Sequence, residues 1–142
     1  MADDAVVVGY DVGDATARAM VERVVARARA TGRAVTVAVV DSAGVLVAFA
    51  RMDGALRFSA GLATEKARTA ASFGRPTAFM ESMMAERPVF AQSFTNQGNW
   101  YLGRGGYPLL HDGKPVGGIG VSGDEADFED DLAREEAEAF GG

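Results

Sequence analysis

The chain contains no cysteine, a single histidine, a single tryptophan and four prolines among 142 residues. Without cysteine it has no disulfide, no thiolate nucleophile and no Cys-ligated zinc or iron–sulfur centre. The absence fits a reducing compartment. His111 has no second histidine with which to complete a zinc site, so no metal site is expected. No apolar run approaches the roughly 20 residues of a membrane span. The N-terminal stretch MADDAVVVGYDVGD lacks the basic start of a signal peptide. The expectation is a soluble, cytoplasmic protein with no membrane partner. Basic charge is also scarce: the net charge is −6, and residues 124–142 carry nine acids against one arginine. That tail sums to −8, leaving +2 for the rest. With no basic stripe, nucleic acid is excluded as a partner. The one basic cluster, Arg18, Arg23, Arg27, Arg29 and Arg33, reads as a solvated helix face.

What is present is apolar and patterned. Apolar residues make up 48% of the chain, enough for a single domain over 1–142 with a sizeable core. Residues 14–31 have helical spacing, with Met20, Val21, Val24, Val25 and Ala28 on one face, Asp14 placed to cap the start and Gly32 after the end. Two β-branched runs flank Asp41-Ser42-Ala43-Gly44 and predict a hairpin, strands 35–41 and 45–52. These strands are apolar on both faces, which implies helices on both sides or a partner subunit on one. Residues 58–73 form an alanine-rich helix with a narrow face of small residues. Arg75-Pro76-Thr77 breaks it and starts a second helix, 77–86. VFAQSFTNQGNWYLGR, residues 89–104, predicts a short strand and a loop. Residues 107–121 predict a hairpin turned at Asp112-Gly113, and an acidic helix follows from about 125 to 139.

Seven glycines fall between 105 and 123. Gly118-Ile119-Gly120-Val121-Ser122-Gly123 matches G-x-G-x-x-G by letter. The helix that follows opens on Asp124, Glu125 and Asp127, which repel phosphate, and no βαβ unit surrounds the motif. The mechanical alternative is close approach of a ligand, a helix or another backbone. On this reading Gly117, Gly118 and Gly120 floor a shallow groove, with Gly105-Gly106 at its mouth, roofed by the small-residue face of helix 58–73. The carboxylates Glu129, Asp130, Asp131, Glu135 and Glu136 lack the order of a calcium loop and read as a solvated face.

Three blocks, VAVVDSAGVLVAFARMDGA, EKARTAASFGRPT and GGYPLLHDGKPVGGIGVSG, resemble the GlcG/HbpS family, the haem-degrading or DUF336 domain that also forms the C-terminal part of PduO-type proteins. The resemblance runs from about residue 14 to 139. It implies an α+β fold, a profilin-like antiparallel sheet of about five strands with helices packed on it, and a homo-oligomer. It also implies a small-molecule ligand, with haem or another tetrapyrrole as the leading class and catabolism as a setting. The family pattern falls on Asp41, Asp53, Lys66, Thr69, Pro76, Gly106, Pro108, Gly118, Gly120, Ser122 and Gly123. The chain departs from it in 89–104, where Asn96, Gln97, Asn99, Trp100, Tyr101 and Arg104 suit a pocket for a polar or aromatic small molecule, or a subunit contact.

The candidate ligand-binding residues are therefore Asp53, Glu65, Thr69, Asn99, Trp100, Tyr101, Arg104, Gly106, Tyr107, Gly118, Gly120 and Ser122. Haem needs an axial ligand, and Tyr101 and Tyr107 are the candidates. Met80, Met83 and Met84 lie at helical spacing and read as packing. Lys66 is the candidate catalytic residue: reaching the groove, it would bind a carboxylate or act as a base in a cofactor-free isomerase or lyase acting on a small carboxylate or carbonyl compound. The bland alternative pairs Lys66 with Asp41 or Asp53 to pin the helix to the sheet. A third reading is an accessory oligomeric subunit.

Overall fold

The β-branched runs form their hairpin, β1 (Thr36–Asp41) and β2 (Leu46–Arg51), because the Asp41 carboxylate closes the turn by accepting the N–H groups of Ala43 and Val45. The second hairpin joins β3 (Gly106–His111) to β4 (Lys114–Ser122). Asp112 and Gly113 have φ of 51° and 76°, the left-handed pair that a two-residue type I′ turn requires. β1 pairs with β4, Thr36 opposite Ser122 and Val40 opposite Gly118, giving one antiparallel sheet of order β2-β1-β4-β3. This computed structural model describes residues 5–141; Met1–Asp4, the start of the stretch read for a leader, and Gly142 lie outside the described residues.

Among the described residues the sheet has four strands, not about five. The short strand expected in 89–104 is absent there; the segment opens on a helix instead. After α2 (Ser59–Phe73) and α3 (Thr77–Glu86) comes α4 (Pro88–Thr95). Pro88 sits in its first turn, where a proline costs no hydrogen bond. Phe90 and Phe94, four residues apart, then pack together around Met80, Ala91 and Leu102, with Phe94 edge-on to Phe73. A helical aromatic stripe satisfies these residues better than alternation across a sheet.

One face of the sheet carries the apolar core. Val37 and Val39 of β1 and Ile119 and Val121 of β4 pack against Met20 and Val24 of α1 (Asp14–Ala30) and Leu132 of α5 (Ala126–Gly141). Each large side chain sealed there contributes about 1.5–3 kcal/mol. Gly13, not Asp14, holds the N-cap position of α1; Asp14 instead pairs with Arg18. The charged faces expected to be solvated in fact meet each other. Glu136 is 1% exposed and takes hydrogen bonds from Arg23 and Arg27 of α1, while Arg27 also pairs with Glu135. Arg33 pairs with Asp124 and lies 4.2 Å over the Phe128 ring. The basic cluster and the acidic tail are thus partly two halves of one helix–helix contact.

The other face holds α2. Its partners are Thr36 and Val40 of β1 and Gly118, Gly120 and Ser122 of β4, met by Ser59, Ala63, Ala67 and Ala71. A Cβ on Gly120 would sit 2.7 Å from Ala67 N and closer still to Ala63 O; one on Gly118 would strike Ala67 O. One on Gly106 would sit 2.5 Å from Lys66 O. The expected groove above these glycines is therefore absent: the backbone of α2 rests directly on the sheet.

Candidate functional site

Beside α2, space opens near the Ser122 end of β4. There a cleft of about 250 Å³ is lined by Lys66, Tyr101, Ser122 and Glu129, with Leu56, Phe58 and Leu62 forming its apolar side. Two larger openings, about 330 and 350 Å³, lie beside the His111 turn and between Pro76, Tyr107 and Ala137. Neither contains Lys66, so the smaller cleft is where expected site residues converge.

Lys66 is buried, and its ammonium donates to Glu129 Oε1 and to Val121 O, both at 2.9 Å. Its path is cleared by Gly105, where a Cβ would lie 3.0 Å from Nζ. Burial pulls Lys66 below the usual lysine range, opposed by the charges of Glu129 and Asp130. Glu129 Oε2 in turn accepts the Asp124 N–H, so one carboxylate ties α2 to the approach of α5. Lys66 is therefore paired with Glu129, and neither Asp41 nor Asp53 is its partner. Asp41 closes the β1–β2 turn and Asp53 is exposed in the turn after β2.

The Tyr101 ring centroid lies 5.4 Å from Lys66 Nζ. Gly103 leaves room for this ring, which any side chain there would strike. Thr69 places the backbone, accepting the Tyr101 N–H at 3.0 Å while donating to Glu65 O. Burial, then the carboxylates of Glu129, Glu81 and Glu65, raise the Tyr101 phenol above its ordinary range. It therefore stays protonated at neutral pH. Its hydroxyl makes no hydrogen bond among the described residues, and the residue lines the cleft.

The other candidates lie elsewhere. Trp100 stacks on Phe94 at 4.9 Å and under Arg68 at 5.1 Å, and Asn99 O accepts from Arg68. Arg104 pairs with Asp127, and its Nε lies 3.5 Å from Glu81, an ion-pair contact without hydrogen-bond geometry. Tyr107 donates to Asp130 at 2.9 Å; burial and that bond push its phenol up to about 12. Gly106 exchanges hydrogen bonds with Thr77 and, like Gly118 and Gly120, faces α2. His111 is exposed at its turn, and no group of three or more potential metal ligands occurs among the described residues.

Sequence reasoning missed Glu129 and the apolar mouth. The signal existed: Glu129, Leu132, Ala133 and Glu136 fall on one helical face, so two of the acids share the buried stripe. Leu56 and Phe58, apolar in a loop, were the cue for the mouth.

A family model described as haem degrading protein HbpS-like matches residues 12–138. The chain is 38% identical over 91 residues to protein GlcG of Escherichia coli K12, covering 62% of this chain and 63% of GlcG. A double mutant of Streptomyces reticuli HbpS superposes with a TM-score of 0.89 at 30% identity, over 100% of this chain and 95% of that one. PduOC, solved as a complex with haem, matches with a TM-score of 0.82 at 28% identity, over 91% and 94% of the two chains. With a four-stranded sheet closed by α2 on one side and α1 and α5 on the other, and with this match over most of its length, the chain belongs to the HbpS-like family.

Proposed function

We propose that this protein binds a small molecule at the Lys66–Tyr101–Glu129 cleft, with haem or another tetrapyrrole as the leading ligand class. The observation that carries the reading is Tyr101: it lines the cleft together with the apolar Leu56, Phe58 and Leu62, and its hydroxyl has no hydrogen-bond partner among the described residues. A phenol oxygen is one of the usual axial donors to haem iron. Leu56 and Phe58 are 55% and 62% exposed, a surface suited to a macrocycle face. The cleft's 250 Å³ falls below the ~300–1,000 Å³ of sites that enclose a ligand, so a tetrapyrrole would extend over Leu56 and Phe58. Bound haem would supply an iron centre; the chain's own part is to offer Tyr101, hold Lys66 and Glu129 in place, and exclude water from one side. The family match and the haem complex of PduOC support the same class.

Titration with ferric haem tests it. A Soret shift is expected at micromolar haem, weakened at least about tenfold in Tyr101→Phe, the scale of one lost interaction of about 1.4 kcal/mol. Tyr107→Phe should leave it unchanged. No shift, or identical titrations for wild type and Tyr101→Phe, overturns the reading.

A second reading rests on Lys66, whose burial loosens its hold on a proton beside the Glu129 carboxylate. In it Lys66 and Glu129 move protons for a small carboxylate or carbonyl compound without a cofactor, and loss of turnover in Lys66→Ala with no haem binding would favour it. We further propose that the protein self-associates as a homo-oligomer, supported by exposed apolar side chains on β2 and in the mouth.

A further inference from the structure

The two edges of the sheet are treated differently. β3 carries Pro108 and packs against α5, which blunts it as a template for another strand. β2 has no proline and no lysine, and its one charge is Arg51 at its end. Leu46 and Phe49 of this strand, and Val45 just before it, are 47%, 40% and 61% exposed. Phe49 pairs across to Ala38, on the face where α2 covers β1. α2 does not reach far enough to cover Phe49 as well.

The same chain offers a segment of matching chemistry. Residues 5–10 read AVVVGY, and Val6, Val7, Val8 and Tyr10 are 74%, 90%, 75% and 70% exposed. Residues 7–13 form neither helix nor strand. The root of this arm is fixed: Val12 N–H bonds to Val116 O, and the Asp11 carboxylate accepts the Ser42 N–H and hydroxyl. Ser42 belongs to the turn that leads into β2. Each arm is therefore rooted beside the turn that leads into its own β2, and Val8, Gly9 and Tyr10 border the opening at the His111 turn; in a two-fold pair each arm would leave that opening to reach the other chain's edge. Six extended residues span roughly 20 Å, the length of a six-residue strand.

We propose that residues 5–10 of one chain add as an outer strand to β2 of a second copy, reciprocally, so that each edge is closed by the other's arm. Strand addition satisfies the free backbone groups of β2, and the valines supply the β-branched contacts such a pairing favours. Full burial of these seven side chains would remove at most on the order of 700 Å² per chain, the scale of one partner's share of a standard interface. This deepens the self-association part of the reading above and is independent of the ligand.

The absence of native cysteine makes the test clean. Chains carrying Val6→Cys, Val7→Cys or Val8→Cys alone are each mixed with chains carrying Phe49→Cys alone, oxidised, and resolved without reductant. At least one arm position should give a mixed disulfide, because paired strands bring Cα atoms within bonding range. Light scattering should show a dimer for the wild type and a monomer after deletion of residues 1–9, with circular dichroism unchanged. A wild type monomeric throughout the micromolar range overturns both this proposal and self-association. A dimer that survives the deletion and gives no mixed disulfide overturns arm exchange alone. A disulfide within one chain carrying both substitutions, with none between chains, shows each arm closing its own edge and likewise refutes it.

Discussion

Replacing Gly120 by alanine tests the seating of α2 most directly. The new Cβ would lie 2.7 Å from Ala67 N, with Ala63 O nearer still, against an ordinary contact of about 3.5–4.0 Å. Both atoms belong to the backbone of a helix and cannot rotate aside. Either α2 lifts by about 1 Å or the strand bends. Overpacking of this kind costs about 1–3 kcal/mol, and the rigid neighbours place Gly120→Ala at the upper end. For a chain of this length, about 3 kcal/mol lowers Tm by roughly 10 °C. Gly61→Ala is the control: Gly61 lies inside α2 with nothing within 4 Å of an added Cβ. It should raise stability by about 0.5–1 kcal/mol, because alanine has less backbone freedom to lose. Urea and thermal unfolding at one fixed protein concentration separate the two, with a changed midpoint and an unchanged m-value. A Gly120→Ala variant within about 2 °C of wild type refutes the reasoning. If the variant kept its stability and lost ligand, the glycines would floor a groove after all.

Further predictions concern the buried charges and Tyr107. Glu129→Gln strands the Lys66 ammonium and should cost about 3 kcal/mol or more, whereas the double variant Lys66→Met/Glu129→Leu should recover most of it in urea unfolding. Lys66 titrates below 10.5 when folded and at about 10.5 when unfolded, so the unfolded chain binds its proton more tightly and this group's contribution rises as pH climbs toward 10.5. Unfolding in a pH series should show that slope in wild type and lose it in Lys66→Met. Tyr107 does the reverse: its folded phenol keeps the proton up to about 12 against 10.0 unfolded. Its contribution is present in full below 10.0 and is lost as pH rises toward 12. Phenolate absorbance should show a late-titrating tyrosine that is missing in Tyr107→Phe.

Much of the fold was legible because local signals and tertiary contacts agreed. Both hairpins follow from turn residues between β-branched runs, and α1, α2 and α3 from spacing and from Pro76. The segment 89–104 misled because Phe90, Phe94, Trp100 and Tyr101 suit a strand by propensity, while Pro88 and the pocket around Met80 favour a helix. Lys66 and Tyr101 were legible as candidates; Glu129 was not, since charge alone placed it in water while its helical position placed it against Lys66. Asn99, Trp100 and Arg104 were grouped with Tyr101 by proximity in sequence. The loop instead sends Trp100 and Arg104 to different neighbours.

The glycines explain why the cleft is where it is. Along the α2 face of β4 the residues run Gly118, Gly120, Ser122, and α2 lies in contact with the first two. Ser122 is the first of these three with a side chain; α2 still meets the sheet beside it, Ser59 to Thr36 at 2.7 Å, and the cleft borders Ser122 through Lys66, Tyr101 and Glu129. The room left by absent side chains is filled by the protein itself: α2 over Gly106, Gly118 and Gly120, and the Lys66 stem over Gly105. A ligand receives only the wedge beyond. Its selectivity must then come from groups at that wedge that are not already committed, the Tyr101 hydroxyl and the Phe58 and Leu56 surfaces, while Lys66 and Glu129 set the charge behind them. Substitutions among the glycines should therefore read out as stability, and substitutions at the mouth as binding.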